Sequence, residues 1–314
     1  MRRQRFPLRF RGDETFTIVQ LTDVHWRNGD EADQRSRALI ELVLDIERPD
    51  LVVLTGDILS GEESHDPGAA YRAAAAPIED REIPWAAVFG NHDDEGSLSR
   101  KALLEVQQAL PHCLTEAGPR NITGVGNYVL RLLAAKDDRL AAALYFIDSG
   151  GYNAFGVGHY AWIARDQIEW YARASARLRS EIIASGGEAP LPALAFFHIP
   201  LPEYDEVWRT AACRGHRYEP VCGPSANSGL FAALLEAGDV MGTFCGHDHV
   251  NDFEGELHGV RLCYGRATGF SPYGREGFPR GARVVRLQQG ERSFLTWVRL
   301  EDGLALTSPP THEP

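Results

Sequence analysis

Sulfur is scarce in this chain, with two methionines and five cysteines in 314 residues. The cysteines, at 113, 213, 222, 245 and 263, are scattered, and no Cys-x-x-Cys occurs. That excludes a disulfide-stapled scaffold, a structural zinc ribbon and thioredoxin chemistry. Long apolar runs are missing as well, since none approaches the roughly 18 residues a membrane span requires. No internal repeat is present, and the alanine runs at 73–76 and 141–143 are too short to be low complexity. Positive charge is in deficit: 32 Lys and Arg against 44 Asp and Glu give a net charge of −12. Long nucleic acid is therefore an unfavourable partner, because binding it takes a basic footprint that displaces phosphate counterions. A small phosphorylated substrate remains open, because bound cations can supply local positive charge. The apolar fraction of 44% and charged fraction of 24% rule out disorder, a fibre and a coiled coil.

The odd cysteine count suggests a reducing compartment. The basic start MRRQRFPLRFRGDE has no apolar stretch behind it, so the expectation is a cytoplasmic protein, with export left open. In that compartment Cys213 and Cys222, nine apart in a polar loop, are expected to stay separate thiols, and Cys245 to be core.

What the chain does contain is a recurring pattern: a short apolar run, then a polar cluster rich in metal-ligating side chains. The runs at 16–21, 51–54, 83–89, 142–147, 194–197 and 240–244 have strand composition. Behind them come, in turn, Asp23-Val-His25, Gly56-Asp57, Gly90-Asn91-His92-Asp93, Asp148-Ser149-Gly150, His198 and Gly246-His247-Asp248-His249. Helical patterning lies between them. One helix is expected at 35–47, stopped by Pro49. Another is expected at about 165–184, with Ile168, Tyr171, Ala172, Leu178 and Ile182 on one stripe, Ser175 filling a turn and Gly186-Gly187 as its stop. Strands alternating with helices indicate an α/β fold with parallel pairings at its centre. Such sheets bind ligands at the carboxyl ends of their strands. Five of the six clusters, all but that at Asp148, then bring His, Asp or Asn to one site. That implies a single domain over residues 14–302, with 1–13 a basic segment or edge strand and 303–314 a frayed tail.

The ordered words D-x-H, G-D, G-N-H-D, H and G-H-x-H resemble the calcineurin-like metallophosphoesterase superfamily, from about residue 16 to 300. A given four-letter word such as GNHD arises in roughly 1 in 500 random chains of this length, so two in order, each behind a strand, are specific. The segments GHDHVNDFEGELHGVRLCYG (246–265), FHIPLPEY (197–204), Asn227 to Phe231 and Tyr160 to Ile163 are similar to its single-domain, purple-acid-phosphatase-like branch. The resemblance implies two packed mixed β-sheets flanked by helices, with a dinuclear metal site at the strand ends. By the family pattern Asp23, His25 and His249 hold one ion, and Asn91, His198 and His247 hold the other. Asp57 bridges the two, while His92 assists the leaving oxygen, with Asp93 or Asp94 expected to orient it.

Asp, His and Asn ligands without thiolate suit Mn, Fe or Zn, divalent or trivalent. Two such cations lower the pKa of a shared water from 15.7 towards about 7. The implied activity is hydrolysis of a phosphomonoester, with a metal-bridging hydroxide attacking in line. The same core leaves open a phosphodiesterase acting on cyclic nucleotides or other small diesters, and a scaffold of the same fold without catalysis. Purple acid phosphatases carry an iron-binding tyrosine three residues after the bridging aspartate. That position is Ser60 here, so no purple chromophore is expected.

Selectivity is expected from two polar, glycine- and aromatic-rich loops, 149–162 and 203–227, with Tyr152, Arg209, Arg217 and Asn227 as candidate substrate contacts beside Asn91 and His92. His65, His112, His159, His216, His258 and His312 fall outside the motif set, and of these His159 and His216 lie in the rim loops. Asp248 and Asp252 are expected to face solvent or cap turns. Oligomeric state is not legible.

Overall fold

The computed structural model describes residues 7–187 and 190–314. In chain order the strands are β1 (Leu8–Arg9), β2 (Thr15–Leu21), β3 (Leu51–Thr55), β4 (Trp85–Val88), β5 (Tyr128–Leu133), β6 (Leu140–Phe146), β7 (Ala193–Phe196) and β8 (Cys213–Arg214). They continue with β9 (Val240–Cys245), β10 (Glu254–Leu257), β11 (Val260–Tyr264), β12 (Gly281–Gln288), β13 (Phe294–Leu300), β14 (Ala305–Leu306) and β15 (Thr311–His312). The helices are α1 (Glu31–Glu47), α2 (Pro67–Glu79), α3 (Arg100–Gln108), α4 (Arg165–Ala184), α5 (Glu203–Thr210) and α6 (Leu230–Ala237).

The strands form two mixed sheets, one of nine in the order β1-β5-β6-β7-β9-β11-β10-β8-β15 and one of six in the order β14-β13-β12-β2-β3-β4. Period-two alternation explains why they pack face to face. In β2, Phe16 and Ile18 join the core between the sheets, while Val19 and Leu21 join an outer core with residues of α1 and α2. In β6, Ala142, Leu144 and Phe146 point inward, and Ala143 and Tyr145 pack outward against Tyr171 and Leu178 of α4. Strands covered on both faces need apolar residues throughout, which is why β3 reads Leu-Val-Val-Leu. The pairings β2–β3–β4 and β6–β7–β9–β11 are parallel, as the alternation of strands and helices predicts.

The departures have local causes. Helix α1 begins at Glu31 rather than 35, because the Asp30 side chain accepts from Asp33 N at 3.0 Å and caps it. On α4, Ala172 is exposed, whereas Gln167 is buried and donates to Asn127 Oδ1 and the Asp148 carbonyl. The C-terminal residues do not fray. β14 pairs with β13 and β15 with β8, and the His312 ring stacks on Trp208 at 3.9 Å. Pro309 and Pro310 separate two short strands there instead of ending order. Of the basic N-terminal segment, residues 1–6 lie outside the described residues. β1 is an edge strand, and Arg9 and Arg11 pair with Asp138 and Asp50. Cys213 and Cys222 are not joined, and Cys245 is buried in the core. Among the described residues no helix is long and apolar enough to cross a membrane.

Phe196 lies fully buried in the inter-sheet core, stacked between Phe146 and Phe244 at centroid distances of 5.3 and 5.2 Å. Phe196→Ala should cost about 3–5 kcal/mol in chemical denaturation. Leu295→Ala, at a side chain 67% exposed, should stay within about 0.5 kcal/mol.

Candidate metal centre

The carboxyl ends of β2, β3 and β4 meet those of β7 and β9 at one edge of the sandwich, and the chain must turn sharply there. Asp23, His25, Asp57 and His247 accordingly have φ of 52°, 50°, 50° and 80°, a left-handed conformation costly for side chains other than glycine and concentrated at functional sites. Glycine explains how the strand ends come so close. A Cβ on Gly90 would lie 2.1 Å from Asp57 Oδ1, and one on Gly246 would lie 1.9 Å from Thr22 Oγ1 and 2.7 Å from Asp23 Oδ2. The glycines of G-N-H-D and G-H-x-H are thus the clearances that let a neighbouring strand deliver its carboxylate.

Two clusters result. One ligand atom each from Asp23, His25 and His249 lie within 4.8 Å of one another, and so do one each from Asp57, His198 and His247. Asp57 Oδ2 stands between the clusters, 3.0 Å from His198 Nε2 and 3.7 Å from His25 Nε2. All six side chains and Asn91 are buried. Buried polar atoms nearly always have partners, yet His25 Nε2 and Asn91 Oδ1 have none, while His247 Nδ1 lies 3.3 Å from His198 Nε2 and His249 Nε2 3.5 Å from Asp23 Oδ1. Imidazole nitrogens and carboxylate oxygens buried this close together, each with an electron pair to donate, are what a pair of cations would satisfy.

Their outer partners fit that reading. His198 Nδ1 donates to the Thr55 carbonyl at 2.8 Å, which leaves its Nε2 as the ligand atom. His25 Nδ1 lies 3.3 Å from Ser60 Oγ, so the residue at the tyrosine position touches a ligand histidine. Burial holds His25 and His247 near pKa 3, hence neutral, the state a cation requires. Asp23 stays ionised near 2 despite its burial, because His249 contacts it. Burial works against charge on His198 and Asp57 too. Their mutual attraction outweighs it, raising His198 to about 9 and pushing Asp57 well below the usual carboxylate range.

His92 lies beside this pair, its ring 5.3 Å from that of His25 and its side chain 39% exposed. Neither Asp93 nor Asp94 orients it. Asp93 turns under the site and accepts the backbone N–H groups of Asp57, Ile58, Leu59 and Gly90. Asp94 accepts from Arg100. Glu95 holds His92, its Oε2 being 2.5 Å from Nδ1.

Of the four loop candidates, Tyr152 reaches the site, where its hydroxyl lies 3.3 Å from Asn91 Nδ2. The other three have partners elsewhere. Arg209 and Arg217 both bind Asp205 of α5, and Asn227 donates to Glu203. His216 binds Asp252, while His159 packs between the rings of Tyr152 and Tyr160. Asp248 and Asp252 are buried rather than solvent-facing. Asp248 accepts from Tyr264 and Cys222 N, and Asp252 pairs with Arg266 at 2.9 Å.

Sequence reasoning missed Glu95, Arg100, Tyr160 and Tyr273. Arg100 binds Asp148, Asp94 and the carbonyls of Gly90 and Gly150, which explains why the Asp148 cluster adds no ligand. The signal for it was that aspartate, left at a strand end with no assigned role. The Tyr160 ring meets His247 edge-on at 4.4 Å, and Tyr273 stacks on His249 at 4.2 Å.

The sequence profile of the calcineurin-like phosphoesterases matches residues 16–251. This chain belongs to that family. It is 38% identical to "Probable inactive purple acid phosphatase 29" of Arabidopsis thaliana over 95% of this chain and 86% of that one. It is 35% identical to "Phosphatase DCR2" of Saccharomyces cerevisiae, over 91% of this chain and 54% of that protein. The fold matches a dimetal phosphatase from Danio rerio with a TM-score of 0.57 at 16% identity, over 90% of this chain and 98% of the other. It also matches a purple acid phosphatase from yellow lupin with a TM-score of 0.56 at 14% identity, over 95% and 53%. The architecture is the metallophosphoesterase sandwich that the motif order implies.

Gly90→Ala should displace the Asp57 carboxylate and lower bound metal, measured by plasma emission spectrometry after equilibration with manganese. Metal content equal to wild type would show that Gly90 does not provide this clearance.

Proposed function

We propose that this chain is a dinuclear metal-dependent phosphomonoesterase. The observation that carries the reading is the pair of buried ligand clusters, with Asp57 Oδ2 within 4 Å of a histidine of each. Asp23, His25 and His249 would hold one ion, Asn91, His198 and His247 the other, and Asp57 both. When bound, such ions supply positive charge for the phosphoryl oxygens and acidify a water.

The chain's own groups do the rest. The Glu95 carboxylate can only accept, so His92 Nδ1 carries a hydrogen. Against the ring's burial, Asp57 and Glu95 raise its pKa. The protonated ring therefore also carries a hydrogen on Nε2 to give to the leaving oxygen, returning to the neutral Nδ1–H form. Tyr160 stands at the His247 end and Tyr273 at the His249 end. An aromatic ring packed on a histidine of each cluster narrows the approach to it, which supports a substrate with one ester arm, a monoester, over a diester. Relatives named as phosphatases agree. Others are named inactive, but here every ligand position is filled and His92 is in place, which supports catalysis over a silent scaffold.

Protein stripped of metal and reloaded with Mn, Fe or Zn should hydrolyse nitrophenyl phosphate in preference to the bis-nitrophenyl diester. Asp57→Asn should abolish turnover, and His92→Ala should lower kcat about 10²–10⁴-fold. A diester preference would make the protein a phosphodiesterase, and wild-type rates in His92→Ala would remove that residue from the chemistry.

A further inference from the structure

We infer that Glu95 is a positioning residue that sets the polarity of two side chains at once, His92 and Asn91, and that it acts on Asn91 through Tyr152. This rests on the phosphatase reading for its effect on rate, though not for its geometry.

Glu95 stands three residues beyond His92, where the chain turns back on itself. Its Oε2 lies 2.5 Å from His92 Nδ1, and its Oε1 accepts the Tyr152 hydroxyl at 2.6 Å. An ionised carboxylate has no hydrogen to give, and both consequences follow from that. On one arm, the proton between Glu95 and His92 belongs to the imidazole Nδ1. On the other, the single hydroxyl hydrogen of Tyr152 goes to Glu95, so the tyrosine oxygen can only accept from Asn91, 3.3 Å away. The nitrogen of the Asn91 amide must therefore face Tyr152, which leaves Oδ1, buried and without a partner, free to meet an ion. A glutamine at position 95 would break this logic, because its amide both donates and accepts. Either the His92 arm or the Tyr152 arm would then meet the wrong end.

The link reaches further than its own four residues. Tyr152 belongs to the loop that carries Tyr160, joined to it by a backbone bridge and by a ring contact at 6.1 Å. The base of that loop is fixed by Arg100 through the Gly150 carbonyl at 3.1 Å. One carboxylate thus joins the rim loop to the proton-carrying histidine and to a ligand amide.

The test uses the full chain loaded with zinc, nitrogen-15 labelled, as wild type, Glu95→Gln, Tyr152→Phe, His92→Ala and the His92→Ala/Glu95→Gln double variant. The imidazole nitrogen shifts of His92, read through its carbon-bound ring protons, report the tautomer without any need for turnover. The expected result is an Nδ1-protonated ring in wild type and Tyr152→Phe, and a mixture in Glu95→Gln. In kinetics Glu95→Gln should lower kcat by about 10- to 100-fold with KM within about twofold, and the loss should be larger for alkyl than for nitrophenyl leaving groups. The double variant should be no slower than His92→Ala alone. Tyr152→Phe should instead weaken binding of one of two zinc ions, because the Asn91 amide loses its anchor. An unchanged His92 tautomer in Glu95→Gln, or losses that multiply in the double variant, would overturn the inference. A Glu95-dependent tautomer in a wild type that hydrolyses no phosphate ester would instead sink the phosphatase reading and leave the positioning role standing.

Discussion

The structure is organised around one electrostatic constraint: two carboxylates, Asp23 and Asp57, are buried side by side where the two sheets meet. Desolvated charges of the same sign are costly unless cations or donors surround them. The chain supplies donors first. His247 N donates to Asp23, His92 N donates to Asp57 Oδ1 at 2.8 Å, and the His198 ring lies 3.0 Å from Asp57 Oδ2. The supply is incomplete, since His25 Nε2 and Asn91 Oδ1 are buried there with no partner. Left-handed backbone at four of the ligand residues and glycine clearances at 90 and 246 are the strain and space that this convergence requires. A fold tolerates such features only where the rest of the structure over-determines them.

That over-determination comes from buried polar links beneath and around the site. Asp93 gathers four backbone N–H groups and fixes the turns after β3 and β4. Arg100 ties Asp148 to the strand end that carries Asn91. On the other flank Arg266 pairs with Asp252 and stacks on Phe278 at 3.3 Å, which holds the segment beyond His249. Asp93 joins residues 36 apart and Arg100 residues 48 apart, so the site depends on the completed sandwich rather than on any one segment.

This explains what could and could not be read from the sequence. The residues that the structure gathers into two candidate clusters were legible because each sits just behind an apolar strand, where local patterning fixes position. The parallel core strands and α4 were legible for the same reason. Side chains whose partners are remote were not. Nothing local distinguishes Asp93, which binds backbone, from Glu95, which binds His92, and adjacency pointed to the wrong acid. Asp248 and Asp252 look like turn residues until β11 brings Tyr264, and the segment after it Arg266, alongside them. Arg209 and Arg217 look like free phosphate contacts until α5 places Asp205 between them. The C-terminal residues look frayed because their two short strands pair with elements whose positions only the fold reveals.

The central claim is that the two buried clusters are ligand sets for two ions. Crystals of the protein equilibrated with manganese, recorded at a wavelength where manganese scatters anomalously, address it directly. The account predicts two anomalous peaks. One should lie among Asp23, His25 and His249 and the other among Asn91, His198 and His247, with the Asp57 carboxylate between them. A single peak, none, or peaks away from these side chains would contradict it.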